Sequence, residues 1–359
     1  MFQPRPPWYQ RQQGRRALSH AALALLLVLY ITASFRGRST CKRDAAAELR
    51  SSIEPTAEAV KFYEDREIAT IHVGGTKSKY AFATFLAGSD TELDPKDDKY
   101  LTAVRILTFQ LLHANETRSQ DRNIPFLVLV ADKVSKAARE QLQIDGATIV
   151  PVTRLTASWL KPDKPAWDDV MTKLRVWQLT DFERIAFLDA DTILNKPLDS
   201  VFTDAATQDQ TTLLNRLSPL GIPPPKKYVF AGNANHPQPR NVTGTGMARL
   251  NQPDHLCAGF FVLKPDMDLL RHYVSVLQIP DSFQSQAPEE NLLNVVHDRN
   301  GSMPWTQLDT AFNVRNPSMA DIEAGAKSVH IKWWQTAPAA VRQWMTEWKQ
   351  KMEDFYQSR

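Results

Sequence analysis

Ile185-Ala186-Phe187-Leu188-Asp189-Ala190-Asp191-Thr192 is a short apolar run that ends abruptly on two carboxylates one residue apart. Four apolar residues bounded by polar sequence read as a strand buried on both faces. The segments on either side alternate in kind. Residues 80–86 and 126–130 (Phe126-Leu127-Val128-Leu129-Val130) are strand-like, and Leu101, Val104, Leu107, Thr108 and Leu111 between them recur at helical spacing. Asp97 and Asp98 suit the positive N-terminal end of that helix. A helix is expected over 136–142, a strand over 148–150 and a helix over 168–179. Beyond the acidic pair the pattern gives a strand at 256–263, helices at 268–277 and 288–297, a short strand at 328–331 and a terminal helix at 339–355. This alternation predicts an α/β fold with a mostly parallel central sheet covered on both faces, where ligands collect at the carboxyl ends of the strands. Asp189 stands at such an end. Residues 203–255, polar and rich in proline, read as a long loop, and loops of that length are commonly functional.

The chain has 359 residues, 43% of them hydrophobic and 23% charged, enough to bury a substantial core. Two cysteines, Cys41 and Cys257, exclude a disulfide framework and a Cys-rich zinc site. The net charge of +3 is uneven, because residues 1–43 hold eight Arg and Lys and no acid, leaving the remainder net negative. A nucleic-acid partner, which needs a basic face on the folded body, is therefore not expected.

Residues 17–35 contain no Asp, Glu, Lys or Arg. As a helix they reach roughly 28 Å, the thickness of a hydrocarbon core. The expected division is a cytoplasmic tail at 1–16, one transmembrane helix at 17–35, a stem at 36–78 and the functional domain at 79–359. A cleaved signal peptide is the alternative, with Ala33 before the cut, but Ile31 is a poor small-residue match three positions from it. Basic residues flank the span on both sides and do not orient it. The triplets Asn115-Glu116-Thr117, Asn241-Val242-Thr243 and Asn300-Gly301-Ser302 all follow it, as expected for a lumenal body. Cys41 could pair with another chain there or remain an idle thiol.

Carboxylates at Asp189 and Asp191, where a buried strand ends, can both reach a hard divalent cation. Such a cation bridges a diphosphate and neutralises it as a leaving group. Asp266-Met267-Asp268 has the same spacing but precedes a helical run, and reads as a helix cap. Phosphoaspartate phosphohydrolases of the haloacid-dehalogenase type also use an acidic pair after a strand. Their motif continues with Thr or Val four places on, where this chain has Ile193, and it lies on the first core strand.

With these residues in place, the sequence resembles the family 8 glycosyltransferases, the glycogenin-like group, and in particular their membrane-anchored, fungal-type members. The resemblance runs over 80–334, interrupted at 203–255. It is carried by Thr172-Lys173-Leu174, Trp177, Leu179, Phe187-Leu188-Asp189-Ala190-Asp191-Thr192, Pro197-Leu198 and Phe202. It implies a GT-A nucleotide-sugar-binding fold, Mn²⁺ or another divalent cation, a UDP-sugar donor and transfer with retention of configuration. It further implies that Asp189, Asp191 and His330 ligate the metal and that Ala190 lies near the ribose. Lys332, on one strand face with His330, would lie near the diphosphate. Phe85, Ala87 and Gly88 would hold the base and Tyr100 would stack on it. Lys173 would face phosphate or sugar, and Lys164 stands where the family has arginine.

Cys257-Ala258-Gly259 corresponds to a strand whose first residue is Asn in the family and whose glycine admits the sugar. Glu289 and Glu290 stand where the family has Asp-Gln, and Glu289 is the carboxylate available for a covalent intermediate. Trp333 and Trp334 are candidate acceptor contacts. The expected activity is metal-dependent transfer of a hexose or N-acetylhexosamine to a glycan or glycoprotein acceptor, by a single-pass type II protein of the Golgi membrane with a lumenal catalytic domain. Two alternatives stay open: a self-glucosylating enzyme of the glycogenin kind, and a non-catalytic lumenal sugar-binding module.

Overall fold

In the computed structural model the described residues are 68–88, 97–234, 255–335 and 337–359. The chain divides into residues 1–54 and 55–359, and every described residue belongs to the second unit. The expected anchor at 17–35, most of the stem, Cys41 and the Asn241 triplet lie outside the described residues. Among those described, no helix is long and apolar enough to cross a membrane.

Runs of β-branched and aromatic residues form the strands β1 (Tyr80–Leu86), β2 (Phe126–Val130), β3 (Thr148–Pro151) and β4 (Arg184–Leu188). They are followed by β5 (Thr192–Leu194), β6 (Gln210–Thr211), β7 (Lys227–Tyr228), β8 (Phe230–Ala234) and β9 (Leu256–Leu263). The last are β10 (Thr306–Gln307), β11 (Val314–Arg315) and β12 (Ser328–His330). Seven strands make one sheet in the order β10-β8-β9-β4-β1-β2-β3. Its pairs are parallel except those of β9, which runs antiparallel to both β4 and β8. β1, β2 and β9 have almost no exposed residue, because helices and loops cover both faces.

Helix α1 (Lys99–Leu112) starts where expected: Asp98 accepts hydrogen bonds from the Tyr100 and Leu101 N–H groups at 2.9 and 3.0 Å. Helices α2 (Lys136–Ile144), α3 (Met267–Leu277), α4 (Pro288–Val296), α5 (Met319–Glu323) and α6 (Ala339–Gln357) follow. Asp266 caps α3, its carboxylate accepting from Leu269 N–H at 2.9 Å, as the sequence predicts for the second acidic pair. One apolar cluster packs on each face of the main sheet, and a third lies under α6 and the small sheet β11-β12-β5. Ile68 and Val73, placed in the stem by sequence, are buried in the first cluster. Asn115 and Asn300 are exposed.

Two expectations are corrected. The helix over 168–179 is a 3₁₀ helix, Val170–Gln178, and all nine of its residues are buried. A segment covered on every side has no solvent face, and side-chain bonds hold its tighter winding: Thr172 Oγ1 accepts from Leu155 N–H, and Arg175 Nε donates to the Thr153 carbonyl. The long loop at 203–255 contains β8, a strand of the main sheet paired along β9 with a bulge at Gly232/Asn233. Its core residues Phe230 and Ala231 sit between a proline run and polar sequence, which hides them from a pattern search.

Candidate active site

The acidic pair occupies the turn that carries the chain from the main sheet to the small one. β4 ends at Leu188, and the Asp189 N–H donates to the Gly259 carbonyl at 2.8 Å, tying the turn to β9. The Thr192 N–H donates to the Asp189 carbonyl at 3.0 Å, and the Ile331 N–H to the Asp191 carbonyl at 3.3 Å. β5 pairs antiparallel with β12, with Thr192 opposite His330. That pairing sets His330 beside the carboxylates although it is remote in sequence. One ligand atom from each of Asp189, Asp191 and His330 lies within 4.8 Å of the others. His330 Nε2 is 3.2 Å from Asp191 Oδ1 and 3.8 Å from Asp189 Oδ2. Two carboxylate oxygens and an imidazole nitrogen are a donor set suited to Mn²⁺ and similar divalent cations.

His330 abuts Gly259, where a β-carbon would fall 2.0 Å from its Cε1. Burial alone would lower the imidazole pKa, but the Asp191 carboxylate and the hydrogen bond between them hold it well above the ordinary value. The same partner holds Asp191 below the usual carboxylate range, against the effect of its own burial. A raised histidine pKa stabilises the metal-free fold in acid, and that contribution fades as pH rises through the folded-state value. Because a cation competes with the proton for Nε2, Mn²⁺ affinity is expected to rise with pH from the ordinary histidine range upward, until the raised folded-state value is passed, read by calorimetric titration. A flat profile would overturn the assignment of His330 as a ligand.

Lys173, on the 3₁₀ helix, bridges Asp189 Oδ1 at 2.7 Å and Glu289 Oε1 at 2.9 Å. Burial would lower its pKa, but the two carboxylates outweigh this and raise it. The contact occupies one oxygen of Asp189 and leaves the other toward His330. Lys173→Met would leave two inward-facing carboxylates with no cation between them. A loss of about 3–5 kcal/mol in urea denaturation is expected, as for removing one partner of a buried pair.

Asp189 and Asp191 stand in the wall of a cleft of about 670 Å³, while His330, paired with Asp191, does not line it. Phe85, Ala87 and Gly88 line it from the end of β1, and Asp189, Ala190, Asp191 and Lys173 from the other side. Gly88 has φ +81°, and a β-carbon there would strike the Lys133 carbonyl carbon at 2.7 Å, so the floor of the cleft needs glycine. Tyr100 is 37% exposed, meets Trp334 edge to face at 5.2 Å and lies under the Lys332 ammonium at 5.6 Å. Lys332 lines the cleft from a turn just past β12, which ends at His330, and not from the strand itself.

Several residues expected at the donor are placed elsewhere. Lys164 points over the Trp167 ring at 4.6 Å, and its neighbours Pro165 and Trp167 line the cleft in its stead. Trp167 is a cleft residue that sequence reasoning misses, its closeness to the Lys164-Pro165 pair being the one signal for it. Glu289 is not among the cleft-lining residues and backs Lys173. Glu290 accepts from the Ala258 N–H at 2.9 Å and pairs with His255 at 3.3 Å. Asn294, one turn along α4, accepts from the Leu256 N–H and donates to the Leu256 carbonyl. Both side chains are thus bonded to the segment of β9 that lies beyond the end of its pairing with β4. Cys257 is buried, with its Sγ 4.0 Å from His330 Nδ1.

No protein-family model matches the chain. An uncharacterized protein of Schizosaccharomyces pombe is 25% identical over 276 residues, 70% of this chain and 72% of that protein. The UDP-glucuronate:xylan alpha-glucuronosyltransferase 1 of Arabidopsis thaliana is 25% identical over 68% of this chain and 38% of its own length. Glycogenin-1 of Saccharomyces cerevisiae is 22% identical over 77% and 45%. A crystal structure of the galactosyltransferase LgtC with donor and acceptor sugar analogs aligns with 76% of this chain and 95% of its own, at a TM-score of 0.45 and 14% identity. Distant relatives of the chain are thus named as glycosyltransferases.

Proposed function

We propose that this protein is a divalent-cation-dependent glycosyltransferase that moves a hexose or related sugar from a UDP-sugar to a glycan acceptor with retention of configuration. The observation that carries this reading is the cluster of Asp189, Asp191 and His330, whose two carboxylates line, with Lys173 and Lys332, one cleft that has an aromatic wall. The names of its distant relatives support the same class. Residues 17–35, with the downstream glycosylation triplets, support a type II protein of the Golgi membrane.

Asp189, Asp191 and His330 would hold the cation. When bound, it supplies charge neutralisation to the diphosphate, which makes that group a better leaving group. The rest falls to this chain's own side chains. Tyr100 offers a ring face to the base, and the backbone at Phe85, Ala87 and Gly88 borders the same end of the cleft. Lys332 and Lys173 place positive charge beside the leaving group as its negative charge develops. Glu289 is committed to Lys173 and set back from the cleft, which favours attack by the acceptor hydroxyl on the face the leaving group vacates over a covalent intermediate on that carboxylate.

The test is a donor panel. UDP-glucose, UDP-galactose, UDP-N-acetylglucosamine and UDP-glucuronate are offered to the full chain with Mn²⁺ or with chelator. Release of UDP from one of them, abolished by chelator, is expected. Binding of a free sugar without UDP or cation dependence would favour the lumenal binding module instead.

A further inference from the structure

We infer that Cys257 is a positioning residue for the cation site: its sulfur accepts a hydrogen bond from His330 Nδ1–H and thereby holds Nε2 toward a cation shared with Asp189 and Asp191. This rests on the metal reading of the preceding section. A histidine that binds a cation through one ring nitrogen carries its proton on the other, and that N–H needs an acceptor to fix the tautomer and the ring angle. In His330, Nε2 faces the carboxylates at 3.2 and 3.8 Å, so a cation held with them displaces the Nε2 proton and leaves the ring's remaining proton on Nδ1. Among the described residues, Cys257 Sγ lies 4.0 Å from Nδ1.

Two further features make the contact specific. The Cε1–Nδ1 edge of the ring abuts Gly259, which offers it no side-chain acceptor. Cys257 and Gly259 sit two residues apart on β9, and both border the Nδ1 side of the ring. Both residues are buried on a strand bonded to its neighbours, so neither can drift from the ring. A thiol is a long-reaching but weak acceptor, and it adds no charge to the site as a carboxylate would.

The experiment compares Mn²⁺ affinity by calorimetry in the wild-type chain, Cys257→Ala, Cys257→Val and Cys257→Ser. Thermal unfolding is followed for each. An outer partner of a ligating histidine typically carries a factor of ten or more in affinity, so Ala and Val are expected to bind Mn²⁺ about tenfold more weakly. Ser, which keeps a neutral acceptor, is expected to recover most of that loss. Val fills nearly the same space without an acceptor and gives the answer should Ala fail to fold. Unchanged affinity in Ala or Val would overturn the inference while leaving the metal site intact. A Ser variant as weak as Ala and Val would assign the effect to packing and overturn it too. Absence of Mn²⁺ uptake by the wild-type chain would overturn the metal reading and this inference together.

Discussion

Asp191→Ala is expected to lose Mn²⁺ uptake and at least about a hundredfold in cation-dependent release of UDP, while remaining folded. A cation on a leaving diphosphate contributes several kcal/mol to the transition state, and each 1.4 kcal/mol or so is a factor of ten in rate. Asp191 is 6% exposed, and its carboxylate faces His330 at 3.2 Å. Removing it takes away one of the two anionic ligands and lets the His330 pKa fall, since that carboxylate is what raises it. The fold should survive because the turn is held by main-chain bonds the substitution leaves in place: Thr192 N–H to the Asp189 carbonyl, Ile331 N–H to the Asp191 carbonyl, and Asp189 N–H to Gly259. Calorimetry and the donor assay, beside a thermal melt, separate the outcomes. A folded variant with undiminished chelator-sensitive turnover would remove Asp191 from the cation site.

How much of this arrangement is legible in sequence depends on how local its causes are. The strand Arg184–Leu188 and the two carboxylates beyond it are legible because a short apolar run and an abrupt charge are local events. The cap at Asp266 is legible for the same reason, and it separates two acidic pairs of identical spacing. His330 is not legible from its surroundings. Its place follows from the pairing of β12 with β5, a contact between distant segments, and only the family resemblance pointed to it. Glu290 and Asn294 show the converse. Their spacing on one helix face is visible, but the β9 backbone groups they bind are exposed only because β4 has already ended. Strand β8 escaped for want of length, since Phe230–Ala234 includes a glycine and an asparagine and gains its strand character from pairing with β9.

Gly259→Ala is expected to abolish Mn²⁺ binding as fully as His330→Ala does, although it removes no ligand. Its β-carbon would lie 2.0 Å from Cε1 and 2.3 Å from Nδ1 of His330, far inside van der Waals contact. The backbone cannot yield, because Gly259 lies on β9 and its carbonyl holds the Asp189 N–H at 2.8 Å. The ring must therefore leave its seat, and a displacement of more than about 1 Å takes Nε2 out of register with the carboxylates. Crowding of this kind typically costs about 1–3 kcal/mol in a packed interior. That cost should vanish when the ring is absent, so the double variant with His330→Ala is expected to be about as stable as His330→Ala alone. Additive destabilisation in the double-mutant cycle would mean the methyl group strains the strand itself, and the account of Gly259 as the seat of His330 would fail.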